Sequence, residues 1–86
     1  EDLVFRDVPA RLAHLLSELG KTEGVADKQG IRLKVKLTHQ EMANLIGCSR
    51  ETVSTTMGQF RDQGLIQMDG RTITIVNEKG LSKLLG

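Results

Sequence analysis

With 86 residues, 38% of them hydrophobic and 27% charged, the chain has the size and make-up of one small soluble domain with a modest core. No apolar run approaches the roughly 20 residues of a membrane span, no apolar segment follows Glu1-Asp2 as a signal peptide requires, and the single Cys48 excludes an intrachain disulfide. The net charge of +1 is uneven: residues 1–30 carry four basic and six acidic side chains, residues 31–86 eight and five, a hint of a polyanion partner for the C-terminal part against the usual reading of such charge as solvated surface.

Leu3, Val4 and Phe5 form a short apolar lead-in. Asp7 is placed to cap a helix with Pro9 in its first turn, where a missing N–H costs nothing. Leu12, Leu15, Leu16 and Leu19 then recur at i, i+3, i+4, i+7, one buried helical face, which Gly20 is expected to end. Residues 21–30 are polar, contain Gly24 and Gly30, and read as a surface loop. From Ile31 to Leu37 apolar and basic residues alternate without a break, the pattern of a half-buried strand.

Thr38-His39-Gln40-Glu41 is a capping box, opening a short helix with apolar Met42, Ala43, Leu45 and Ile46. Gly47 ends that helix, Ser49 caps the next one over residues 50–63, and Gly64 terminates it. Leu65 to Met68 and Thr72 to Val76 are strand-like, with the hairpin signal Asp69-Gly70 between them. Asn77 caps a last short helix carrying Leu81, Leu84 and Leu85.

Two helices joined by a short Gly-containing turn and followed at once by a hairpin make a winged helix-turn-helix layout, in an α+β fold of three core helices and a small antiparallel sheet. The second helix of the pair has an unusual composition. Val53, Met57 and Phe60 face inward, while Ser54, Thr55 and Gly58 occupy the outer side, flanked by Thr52 and Thr56. Hydroxyl, β-branched and Gly residues each cost about 0.5–1 kcal/mol relative to Ala in a helix interior. A major groove is about 12 Å wide, scarcely more than a helix with its side chains, so a small outer face lets the backbone approach base edges. Arg50 and Glu51 stand at the N-terminal end, and Glu51, Ser54, Thr55 and Gly58 share one stripe. Close helix packing at Gly58 and plain solvation of Arg50 and Glu51 are the competing readings.

Gln40-Glu41, the run from Ile46 to Val53, Gly64-Leu65-Ile66 and Gly70-Arg71-Thr72-Ile73 resemble the helix-turn-helix and wing of the cyclic-AMP receptor protein and fumarate-nitrate regulator (CRP/FNR) family of bacterial transcription factors. Phe5, Asp7, Val8, Arg11 and Leu12 resemble that family's hinge and first DNA-binding-domain helix. The resemblance implies that Arg50 forks onto a guanine and Glu51 accepts from a cytosine amino group, with Ser54 and Thr55 also facing bases. It assigns Ser49, Thr52, Gln40 and Arg71 to phosphates, with weaker backbone contacts from Thr38 and His39. Family members commonly carry a second base-reading arginine where this chain has Thr55, so an altered preference at one base pair is expected.

The same resemblance implies a hinge or the end of a dimerisation helix over residues 1–6 and the DNA-binding domain over residues 7–86. It further implies a homodimer on inverted-repeat DNA, an effector such as a cyclic nucleotide bound in a missing N-terminal domain, and RNA polymerase as a partner of the 21–30 segment. The chain starts at Glu1 and not Met, so it reads as part of a longer protein, and its single cysteine fits a reducing, cytoplasmic setting. No cofactor or metal is expected in this domain. No Ser-His-Asp, paired-carboxylate or phosphate-loop pattern supports an enzyme. His14 reads as a partly exposed helix residue and Cys48 as a small core filler. The rival classes are a protein-interaction module, which needs an exposed apolar patch, and a redox-responsive domain, which needs a reactive Cys48.

Overall fold

The computed structural model describes residues 8–85. Its elements are α1 (Val8–Glu23), β1 (Gly24–Asp27), β2 (Gly30–Leu33), α2 (His39–Ile46), α3 (Arg50–Asp62), β3 (Ile66–Asp69), β4 (Thr72–Ile75) and α4 (Glu78–Lys83). The strands form one antiparallel sheet in the order β1-β2-β4-β3, so two hairpins are joined through β2 and β4. Ile31 lies opposite Ile75 at that junction, and Ile66 opposite Ile75 on the other edge of β4. The architecture is the expected α+β winged helix-turn-helix, including the last short helix capped by Asn77, with one more strand in the sheet than expected.

The core explains which helix faces turn inward. Leu12, Ala13 and Leu16 of α1 meet Met42 and Ala43 of α2, Val53, Met57 and Phe60 of α3, and Leu33, Ile66, Ile73 and Ile75 of the sheet. Leu81 of α4 is fully buried in the same cluster. Leu15 and Leu19 are only partly buried, which places the centre of the α1 face on Leu12 and Leu16. Leu45, read as an inward position of α2, is instead 63% exposed, and Leu85 is also exposed. An eight-residue helix packed on one side buries a stripe too narrow to include Leu45 beside Met42 and Ala43.

The first hairpin corrects the reading of residues 21–37. α1 runs through Gly20 to Glu23, and residues expected in a loop form β1 against β2. A Cβ on Gly20 would lie 3.1 Å from Ile75 Cδ1, so the glycine lets the helix lie close on the sheet. Gly30, at φ 150°, is confined even more: a Cβ there would collide with the Ile75 carbonyl oxygen. Glycine at these positions serves close approach as well as turning. The second strand ends at Leu33, because the chain must leave the sheet to reach α2, and beyond the strand Val35 and Leu37 still pack on the core.

Smaller differences lie at element ends. α3 closes at Asp62 with Gln63 as its C-cap, β3 lies one residue later than expected at both ends, and β4 starts at Thr72 as expected but finishes one residue early, at Ile75. The wing loop is Gly70-Arg71, between Asp69 and its partner Thr72. Positive φ falls on Gly70 (64°), the first central position, as in a type II′ turn. Asp7 and the 1–6 hinge lie outside the described residues.

Candidate nucleic-acid interface

The turn between α2 and α3 is built by three local devices. At its entrance, Thr38 Oγ1 accepts from the Glu41 N–H at 3.0 Å and the Glu41 carboxylate accepts from the Thr38 N–H at 2.8 Å. The Thr38 N–H first, then the Thr38 hydroxyl, with the charge of Arg71 as a smaller contribution, hold the Glu41 carboxyl below the usual carboxylate range. Gly47, at φ 80° and ψ 47°, then ends α2, its N–H donating to the Ala43 carbonyl at 2.8 Å. Ser49 starts α3, its Oγ accepting from the Thr52 N–H at 3.1 Å.

The Ser49 and Thr52 hydroxyls also lie 2.8 Å apart. One of their two protons is used in that bond, which leaves one O–H for an outside acceptor such as a phosphate oxygen. Thr56 was placed at the flank of the outer face, but it is buried and its hydroxyl donates to the Thr52 carbonyl at 2.8 Å. This back-bond satisfies the hydroxyl inside the core.

Along the outer face, Arg50, Glu51 and Thr55 are exposed, whereas Ser54 and Gly58 are half-buried. Arg50 pairs with Glu51 at 3.6 Å, with more than half of each side chain exposed. A surface pair of this kind contributes little and can be exchanged for other partners. Gly58 bears on the packing reading of the small stripe. A Cβ added there would meet only the Arg61 guanidinium at 3.8 Å, so no packing contact demands glycine.

Two grooves flank α3. One, of about 260 Å³, gathers Thr38, His39, Arg50, Gly70 and Arg71 between the helix pair and the wing tip, beside apolar Leu37, Met42, Met68 and Ile73. The structure thereby joins candidates that are 33 residues apart in the chain, from Thr38 to Arg71. The other, about 350 Å³, lies between the start of α1 and α3, lined by Val8, Pro9, Glu51, Thr52, Thr55, Thr56 and Gln59. Gln59 was missed by the sequence reading. It is four residues beyond Thr55, and the i+4 spacing from Glu51 through Thr55 is the signal that finds it.

His39 does not stand free in its groove: its Nδ1 lies 2.7 Å from Ser54 Oγ, bridging α2 and α3. Gln40 is exposed, its side-chain amide donating to Asn44 Oδ1 at 2.9 Å along the same helix. Cys48 is half-buried against the core and its thiol donates to the Ser49 carbonyl at 3.5 Å. A third groove, of about 600 Å³, is lined by Ala10, Arg11, His14, Leu15, Glu18, Leu45, Ile46 and Leu85, with no residue of α3. Among the described residues no cluster of three or more His, Cys, Asp or Glu is placed to hold a metal, and no helix is long and apolar enough to cross a membrane.

A glycine-turned helix pair whose second helix is exposed along a small outer face, with a hairpin tip beside its N-terminus, defines a winged helix-turn-helix of the DNA-binding kind. The model of the Crp-like helix-turn-helix domain matches residues 10–84. The chain therefore belongs to that family, the DNA-binding domain of CRP/FNR-type transcription regulators. It is 35% identical over 82 residues to a CRP-like cAMP-activated global transcriptional regulator of Mycobacterium tuberculosis, covering 95% of this chain and 37% of the relative. It is 37% identical over 83 residues to the global nitrogen regulator of Synechocystis, covering 96% and 37%. Among solved structures, the CO-dependent transcription factor CooA of Carboxydothermus hydrogenoformans superposes with a TM-score of 0.89 at 30% identity, over 98% of this chain and 39% of that one. The chain thus spans well under half the length of these relatives.

Proposed function

We propose that the chain reads duplex DNA by seating α3 in the major groove, with the α2 N-terminus and the wing tip on the flanking phosphates. The open outer face of α3, with Gly58 where packing does not require it, carries this reading. Arg50 exchanges its weak pairing with Glu51 for a bidentate donation to guanine N7 and O6, and Glu51 accepts from a cytosine amino group. Ser54 and Thr55 face the next base edges. Thr38, His39, Gln40, Ser49, Thr52 and Arg71 hold phosphate oxygens, helped by the amides at the start of α3. Thr55 has a methyl for a thymine and one hydroxyl, so it reads its base pair less strictly than an arginine fork.

In the whole regulator, two such domains act as a homodimer on inverted half-sites about 34 Å apart. We place the effector site in the part of the regulator that this chain does not span. The relatives' names carry different signals, cAMP for one and CO for another, while the DNA-binding part is shared. The exposed β1–β2 tip, residues 26–29, is the surface we assign to RNA polymerase. The domain acts in the bacterial cytoplasm and by binding, not catalysis.

Backbone amide shifts measured on adding duplex oligonucleotides at low ionic strength test the docking face. Amides 49–55 are expected to move most. A response confined to the groove of Leu45 and Leu85 would replace this reading with a protein-contact module. Selection from random duplexes tests Thr55: full guanine preference at its base pair contradicts the relaxed reading.

A further inference from the structure

The imidazole of His39 lines the phosphate-side groove and is also bonded to a hydroxyl on the base-facing side of α3. Both residues are half-buried, and the 2.7 Å separation leaves room for one proton between Nδ1 and Oγ. Which atom carries that proton decides what Ser54 offers to DNA. If Ser54 donates to Nδ1, only oxygen lone pairs remain, and the residue can accept from an amino group but cannot donate. If Nδ1–H donates to Oγ, the serine proton is released and can be given to a base acceptor.

We infer that His39 is a positioning residue that sets the hydrogen-bonding polarity of Ser54, making base preference at one position depend on pH. This rests on the docking proposed above. A phosphate oxygen can only accept, so it selects the neutral tautomer with hydrogen on Nε2, and Nδ1 then accepts from Ser54. With the ring neutral, Ser54 is an acceptor and favours the exocyclic amines of cytosine or adenine. Protonation places hydrogen on both nitrogens, Nδ1–H donates to Oγ, and Ser54 becomes a donor favouring guanine N7 and O6 or thymine O4.

The charged groups around the ring are Arg50 of α3 and Arg71 of the wing turn in the groove, and Glu41 in the first turn of its own helix. Glu41 remains ionised throughout the imidazole range, because its carboxyl is held below its ordinary value, so the capping box does not titrate along with the ring. The only other histidine, His14, is exposed on α1 and lines a groove that α3 does not enter.

The test is duplex selection, followed by anisotropy on single-position variants of the selected site, with the 86-residue chain at pH 5.5 and pH 8. One base pair is expected to shift from amino-bearing to acceptor-bearing bases as pH falls, by about two- to tenfold, the size of one net hydrogen bond. Ser54→Ala should remove both the preference and its pH dependence there. His39→Gln should bind with a preference that no longer varies with pH, and His14→Gln should behave as the parent. Nitrogen-15 spectra of the His39 ring in the complex at pH 8 should show hydrogen on Nε2 alone. A pH-invariant preference in the parent, or a pH shift that survives Ser54→Ala, overturns the role of His39 while leaving DNA binding intact. Failure to bind any duplex overturns the docking itself and this inference with it.

Discussion

Arg50 and Arg71 line the same groove but have different roles in the proposed docking, and their substitutions should separate cleanly. A base-reading fork contributes roughly 1–3 kcal/mol of discrimination, so Arg50→Ala should weaken binding to the preferred site about 5- to 150-fold and flatten the difference between sites. Arg71→Ala should weaken all duplexes alike and lower the slope of log affinity against log salt by about one. Anisotropy titrations at several salt concentrations distinguish the two patterns. Gly58 offers an opposite pair of effects. Alanine there meets only Arg61, so Gly58→Ala should stabilise α3 by up to ~1 kcal/mol, visible as a Tm several degrees higher. In the proposed docking the same methyl would stand between the helix and the base edges, so affinity should fall while stability rises. A variant that gains stability and keeps full affinity would remove Gly58 from the interface.

Among the elements, α2 depends most on its cap. It has eight residues, short enough that propensity alone would not hold it together, and the Thr38–Glu41 box fixes where it starts. Thr38→Ala should cost about 0.5–2 kcal/mol and loosen the entry to the helix pair. The Glu41 carboxyl titrates below its ordinary value in the folded chain, so its stabilising effect is complete above about pH 4.5 and is lost as pH falls through the lower folded value. Glu41→Gln should therefore make the acid limb of the stability curve below pH 4.5 less steep than in the parent. Urea melts at pH 3 and pH 6 compare the two chains.

At the scale of the whole molecule, one core serves every element that positions the interface. Leu16 of α1 is fully buried among residues of α2, α3 and the sheet. A domain of this size has on the order of 4–13 kcal/mol of stability, and Leu→Ala in such a site costs roughly 2–5 kcal/mol. Leu16→Ala should lower Tm by 10 °C or more, and DNA binding should disappear with the cooperative unfolding transition instead of declining on its own. Circular dichroism and anisotropy followed over the same temperature ramp check the coincidence.

Much of the interface was legible in the chain because its devices are local. A capping box, a left-handed Gly47, a serine cap and the composition of α3 each depend on residues within about one helical turn, where side-chain and backbone chemistry act directly. Those features determined the helix pair, its turn and the small outer face before any coordinates. The tertiary structure alone decided what distant segments do to one another. α1 continues through Gly20 because Ile75, 55 residues later, lies against it, and residues 24–27 become a strand because β2 offers them a ladder. Thr56 turns inward, Leu45 outward, and His39 meets Ser54, since each outcome depends on packing between elements and not on spacing within one.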